Sequence, residues 1–207
     1  MIITRGYDRL VNLSDAVIAI AVTLLILPLV DDARQIGTGT VADFLSENAS
    51  QLFLFVLSFV VIARFWLLHH QIYRNIDGYT IPLVWVNFAW LLSIVFLPFP
   101  TELLGHGSSV DGAAASLYIG TMLLTSLTSL VQIWIIIRKP ELQLESLRGT
   151  LRMTPVVVST TTMAVAFLLA VLVPGIGVFP LLLLLLSGRA EALIQRHQRR
   201  RAAARGA

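Results

Sequence analysis

Six long apolar stretches fill most of the 207-residue chain, and they constrain its fold more than any other feature. They run over residues 10–30, 49–73, 80–104, 113–137, 153–173 and 176–194. At about 1.5 Å of rise per residue, each stretch is long enough as a helix to cross a hydrocarbon core roughly 30 Å thick. Lipid offers no partner to backbone polar groups, which favours helices. The sequence therefore predicts an all-α membrane protein with six transmembrane helices.

The composition excludes an ordinary soluble domain. Hydrophobic residues make up 57% of the chain and charged residues 13%, whereas a soluble domain carries about 25% charge. The first stretch contains Asp15 and is followed by Asp31 and Asp32, so we do not expect it to be a cleaved signal peptide. The chain has no cysteine, which excludes disulfides and thiolate metal sites.

The charges between the stretches are distributed unequally. With a cytoplasmic N-terminus, the inner segments hold Arg5, Arg9, Arg74, Arg138, Lys139, Arg148, Arg152, Arg189, Arg196, Arg199, Arg200, Arg201 and Arg205. The outer loops hold Arg34 with Asp31, Asp32, Asp43, Glu47, Glu102 and Asp111. By the positive-inside rule, we expect a multi-pass protein of the plasma membrane with both termini in the cytoplasm.

The chain is predicted to form one six-helix domain over residues 1–195, followed by a basic cytoplasmic tail over residues 196–207. The tail is interpreted as a solvated segment that fixes orientation, with binding to anionic lipid headgroups as the alternative. Nucleic-acid binding has no support beyond this short cluster. The tryptophans, Trp66, Trp85, Trp90 and Trp134, mostly fall near predicted span ends, as interfacial aromatic residues do.

Several polar side chains fall inside the first three stretches, where an unpaired charge is costly. They are Ser14, Asp15, Arg64, His69, His70 and Asn87. We expect them to satisfy one another, since lipid cannot. Arg64 either reaches the inner headgroups or pairs with Asp77 or Asp15, and the sequence leaves both open. His69 is interpreted as a helix-end residue at the membrane interface, and His70 as the residue that makes an interhelical hydrogen bond.

Helix geometry separates two faces of the first stretch. At about 100° per residue, Ile20, Leu24 and Leu27 lie within roughly 60° of one another, and Thr23 flanks them. Asp15 points about 140° away from Ile20. We therefore predict an aliphatic stripe that faces one partner and a polar network around Asp15 that faces another.

At these residues the chain resembles the transmembrane protein 175 family of potassium channels, whose prokaryotic members have six spans. The family pattern of Arg, Phe-Ser-Asp, Ala-Ile and Thr-Leu-Leu is matched by Arg9, Leu13-Ser14-Asp15, Ala19-Ile20 and Thr23-Leu24-Leu25. Trp66, His69-His70, Asn87, Pro98-Phe99 and Thr101 also match. Leu13 replaces the usual Phe. The resemblance covers the first three stretches closely and the rest only by span count and length.

The resemblance implies a non-canonical potassium channel fold, assembled as a homotetramer in which the first helices line a central pore. It implies a constriction formed by Ile20, Leu24 and Leu27, with Thr23 near the narrowest level. A network of Arg9, Ser14, Asp15, Trp66, His69, His70 and Asn87 would support the pore helix. The expected activity is moderate preference for potassium over sodium, with potassium as permeant ion and no cofactor or metal site.

The residues are compatible with this expectation. The chain lacks a Thr-Val-Gly-Tyr-Gly loop that would supply rings of carbonyls. Selectivity would then arise from the Thr23 hydroxyls and from the water that an ion must shed at the aliphatic rings. Rings of Ile and Leu can also gate a pore by dewetting.

Residues of these types also occur in proteins with two other classes of function. One is a small proton-coupled transporter that uses Asp15 with His69 or His70. The other is an intramembrane metalloenzyme, which is disfavoured because adjacent histidines point about 100° apart on a helix and do not readily bind one ion. We therefore expect no enzymatic activity.

Overall fold

The computed structural model describes residues 3, 6–34, 39–106, 112–149, 151–173 and 180. Within them the chain forms eight α-helices: α1 (Tyr7–Leu24), α2 (Leu27–Ala33), α3 (Val41–Glu47), α4 (Ala49–Tyr73), α5 (Ile81–Phe96), α6 (Pro98–His106), α7 (Gly112–Arg138) and α8 (Thr154–Leu172). Two short 3₁₀ helices, Pro140–Leu142 and Glu145–Leu147, connect α7 to α8.

Five segments of the described chain are long and apolar enough to cross a membrane. They are Tyr7–Ala33, Ala49–Tyr73, Ile81–Gly105, Gly112–Arg138 and Thr154–Leu172. They overlap the first five predicted stretches, so the chain is a multi-pass helical membrane protein. The sixth predicted stretch, 176–194, and the basic tail, 196–207, lie outside the described residues.

Prolines divide the first and third of these segments into two helices each. Pro28 lies in the first turn of α2 and has no N–H to offer the Leu24 carbonyl. The chain turns there through hydrogen bonds from Leu25 N to Val22 O at 3.3 Å and from Ile26 N to Thr23 O at 3.4 Å. These are i to i+3 bonds, which tighten the backbone. A similar hydrogen bond, from Leu97 N to Ile94 O at 3.2 Å, lies just before Pro98. Both breaks thus lie at a proline, whose missing N–H interrupts the helical hydrogen bonds.

The helices pack into a bundle in which α7 lies against both α5 and α8, while α1 lies against α4 and α5. Its centre is filled by large side chains that are fully buried, including Ile62, Trp90, Ile94, Tyr118, Met122 and Met163. At the end of the bundle where α1 begins, Ile3 and Tyr79 exchange two backbone hydrogen bonds of 2.9 Å. Asn75 and Asp77 bond to the segment after α7. The connecting segments at this end of the bundle are thus held together by backbone hydrogen bonds.

A chain of buried hydroxyl groups fastens the break before α6 to its neighbours. The Thr101 hydroxyl donates to the Leu97 carbonyl at 2.8 Å, so it accepts from Ser58 Oγ at 3.0 Å. Ser58 in turn accepts from the Tyr118 hydroxyl at 2.8 Å. Each proton is used once, and the third membrane segment is thereby linked to α4 and α7.

Tyr118→Phe is therefore expected to destabilise the protein, by about 1 kcal/mol for one lost buried hydrogen bond. The matched control is Tyr73→Phe. Tyr73 is also buried, but its hydroxyl has no hydrogen-bond partner among the described residues. Removing that hydroxyl should leave stability unchanged or raise it slightly. Thermal unfolding of both variants in detergent checks this, and equal losses of stability would contradict the hydroxyl chain.

Candidate functional site

The aliphatic stripe predicted on the first helix lies on an exposed face of the single chain. Ile20 is 60% exposed, Leu24 39% and Leu27 50%. The opposite face of α1 is buried: Ile18 and Ala21 belong to the central core. The helix therefore presents two different surfaces, one packed within its own chain and one available to another molecule or to a pore.

Thr23 lies on the same exposed face, one turn before Leu27. Its hydroxyl donates to the Ile20 carbonyl at 2.8 Å. Because the only hydroxyl proton is used within the helix, the oxygen has lone pairs left to accept from or to coordinate another group. This arrangement suits contact with a cation or with water at an exposed position.

The buried face of α1 is joined to the bundle by a chain of hydrogen bonds through Asn87. The Ser14 hydroxyl donates to the Leu10 carbonyl at 2.9 Å and accepts from the Asn87 amide nitrogen at 2.9 Å. The Asn87 amide oxygen then faces His69 Nε2 at 2.8 Å, so Nε2 must carry the proton. Ser14 and Asn87 are fully buried. Three membrane segments meet at this amide.

His69 lies between two aromatic rings and is 2% exposed. Its ring stacks on Tyr73 with centroids 4.1 Å apart and on Trp90 at 4.2 Å. The interpretation of His69 as an interfacial residue is therefore wrong. The exposed histidine is His70, whose ring lies 5.5 Å from that of Trp66. The helix turns His69, rather than His70, toward Asn87.

Asp15 makes a separate connection on the same side of α1. Its carboxylate accepts a hydrogen bond from the Trp66 indole nitrogen at 2.8 Å. Arg9 and His70 are exposed in the single chain. Within the part of the chain that the structure describes, neither side chain joins the bonds through Asn87 or the Asp15–Trp66 pair. Their predicted place in the network remains a prediction.

Trp90 is the residue at this site that sequence reasoning missed. It was expected at a membrane interface, yet it is fully buried and covers one side of the His69 ring. Its spacing from Asn87 is a signal that was available, because residues three apart share a helix face.

Polar clusters that could hold a metal are absent from the described residues: no three His, Asp or Glu side chains converge.

Comparisons with known proteins place this site in context. Residues 9–98 match the family model of the endosomal/lysosomal potassium channel TMEM175. A protein named as a potassium channel from Streptomyces collinus is 32% identical over 113 residues, which are 53% of this chain and 54% of that protein. Another from Chamaesiphon minutus is 35% identical over 119 residues, 56% of this chain and 58% of that protein. The chain thus spans just over half the length of these curated relatives.

A solved structure extends the comparison beyond the first three membrane segments. The crystal structure of a lysosomal potassium-selective channel TMEM175 homolog from Chamaesiphon minutus has a TM-score of 0.71 to this chain. It is 22% identical, and the match covers 90% of this chain and 98% of that one. At that level of identity the likeness establishes the fold alone.

Proposed function

We propose that the chain belongs to the TMEM175 family, whose model matches residues 9–98, and that it is a cation channel that conducts potassium. The observation that carries the proposal is the exposed face of α1. On α1, Ile20, Thr23 and Leu24 are exposed, and Leu27 is exposed just past the break, at the start of α2. The residues of α1 that are buried against the chain are Leu10, Ser14, Ile18 and Ala21. The exposed face is the surface that would line a pore.

One such face per chain cannot enclose a pore, so several copies must surround an axis. We propose a homotetramer in the plasma membrane, with both termini in the cytoplasm and α1 of each copy at the centre. The bonds from Ser14 and Asp15 to the bundle support this arrangement, because they fix the rotation of α1 about its own axis. Fixed rotation keeps the aliphatic stripe directed at the axis.

Selectivity in this pore depends on dehydration. Aliphatic rings at Ile20, Leu24 and Leu27 offer no ligands, so an ion must shed part of its water there. Potassium holds its hydration shell less tightly than sodium, which gives potassium a moderate advantage. The Thr23 oxygen, with its proton bonded to Ile20, can replace one lost water. When the rings come closer, the same surfaces exclude water and close the pore.

The alternative, a proton-coupled transporter, gains no support from the contacts of the described residues. Asp15 is bonded to Trp66, and His69 to Asn87, rather than to each other. His70 is exposed at the surface of the single chain. A transporter would show saturable uptake driven by a pH gradient, whereas a channel gives flux that follows the ion gradient.

The test is potassium flux into liposomes that contain the purified protein, driven by a potassium gradient. Wild type should conduct potassium faster than sodium. Thr23→Val should lower the potassium-to-sodium ratio about threefold, as expected for about 0.6 kcal/mol lost from one barrier. The matched control is Thr162→Val, since the Thr162 hydroxyl also donates within its own helix, α8, to the carbonyl of Val158 four residues before it, at 2.8 Å.

Two results would count against the proposal in different ways. If wild type conducts no more than protein-free liposomes, the channel function is wrong. If Thr23→Val and Thr162→Val leave the ion ratio equally unchanged, the protein conducts but Thr23 does not face the ion path.

A further inference from the structure

A cavity of about 290 Å³ lies where the two proline breaks approach each other. Its wall is formed by residues around the α1–α2 break, by the outer turns of α4, and by α6 after Pro98. Most of this wall is apolar: Leu25, Leu29, Leu54, Phe55 and Phe99 contribute to it. The cavity is partly open to its surroundings.

Two carboxylates are the ionisable groups in the wall, Asp31 from α2 and Glu102 from α6. They come from the two different membrane segments that the cavity separates. Asp31 also pairs with Arg34 at 2.9 Å, but both side chains are largely exposed, 65% and 75% respectively. An exposed pair of this kind is weak and exchanges partners readily. The lining therefore favours a ligand with an apolar body and a positive charge.

We propose that this cavity binds a small amphiphilic monocation, a protonated primary amine with an aromatic or aliphatic tail. The tail lies between Leu54, Phe55 and Phe99, and the ammonium group faces Asp31 and Glu102. The volume of about 290 Å³ lies just below the usual range for small-molecule pockets, roughly 300–1,000 Å³, which limits the ligand to a compact amine. An anionic amphiphile is excluded, because it would place its charge beside two carboxylates.

The location gives this site a connection to α1. Leu24 and Leu27 also border the cavity, so a bound amine touches both sides of the break between α1 and α2. The site nevertheless differs from the proposed ion path, since most of its wall comes from α4 and α6. Binding does not require ion conduction, so the proposal stands or falls separately from the channel function.

The experiment measures equilibrium binding of radiolabelled 4-phenylbutylammonium to the full chain in phosphatidylcholine nanodiscs. Binding to empty nanodiscs is subtracted. The neutral isostere, 4-phenylbutanol, is measured in parallel. We expect saturable binding of the amine, with the alcohol about tenfold weaker, because it lacks the interaction with the carboxylates in a partly apolar site.

The variant that tests the location is the double substitution Asp31→Asn with Glu102→Gln, which should weaken amine binding about tenfold and leave alcohol binding unchanged. The matched control is Asp32→Asn with Glu47→Gln, which removes the same charge from the outer side but outside the cavity wall. This control should bind the amine as wild type does.

Three outcomes would overturn the proposal. One is the absence of saturable binding above empty nanodiscs. Another is equal affinity for amine and alcohol, as expected if the groove merely takes up lipid-like tails. The third is an equal loss of amine binding in the two double variants, which would assign the effect to general surface charge.

Discussion

Ile20→Asn is expected to raise potassium flux about tenfold and to bring sodium flux close to it. Ile20 is 60% exposed on the stripe of α1, so its substitution disturbs little packing within the chain. In a pore of several copies, the change replaces an apolar ring with amide groups that hold water. A wetted ring removes part of the dehydration barrier for both ions, and about 1.4 kcal/mol of barrier corresponds to a tenfold change in rate. Liposome flux with each ion, at matched protein content, measures both effects.

Leu92→Asn is the matched control for this prediction. Leu92 is 70% exposed, lies near the middle of the membrane segment Ile81–Gly105, and is apolar like Ile20. Asparagine there places the same polar group in a membrane helix, but away from the stripe. Potassium flux and ion ratio should stay at wild-type values. If both variants change conduction alike, the effect arises from general damage to the fold, and the assignment of α1 to the pore is refuted.

The two faces of α1 could be predicted from sequence because a helix fixes them by angle alone. Ile20 and Leu24 are four residues apart, which places them on one side of α1 whatever surrounds it. Leu27 lies past the break, at the start of α2, and is exposed as well. Asp15 lies at a different angle around the helix axis, and its carboxylate accepts a hydrogen bond from the Trp66 side chain. Breaks at Pro28 and Pro98 were predictable for a similar reason, since proline removes a helical N–H in any context.

The sequence predicts that the buried polar side chains need hydrogen-bond partners. Only the structure shows which side chains pair. His69 and His70 are adjacent, and which of them turns inward depends on the rotation of α4 against α5. That rotation is set by packing along the whole helix, where Ile62 and Phe65 are buried on the same side as His69. Trp90 was misplaced because tryptophan is common at membrane interfaces. Here its ring fills the core against His69.

Asn87→Leu is expected to lower stability by about 2–4 kcal/mol. The substitution keeps the branched outline of the side chain but leaves the His69 Nε2–H without its acceptor in a buried site, which costs about 1–3 kcal/mol. It also removes the bond to Ser14, for which interhelical bonds in membranes average about 0.6 kcal/mol. Thermal unfolding in detergent should show a fall of about 5–10 °C for a chain of this size.

A double-mutant cycle separates the lost hydrogen bond from simple repacking. His69→Phe removes the donor and keeps a ring between Tyr73 and Trp90. With no buried donor left over, Asn87→Leu should cost much less in that background than in wild type. Ser129→Ala is a further control, because its hydroxyl bonds within its own helix to Thr125 O at 3.0 Å and should matter little. Strict additivity of the two substitutions would contradict a shared bond, and α1 would then be held in place by apolar packing and by the Asp15–Trp66 contact alone.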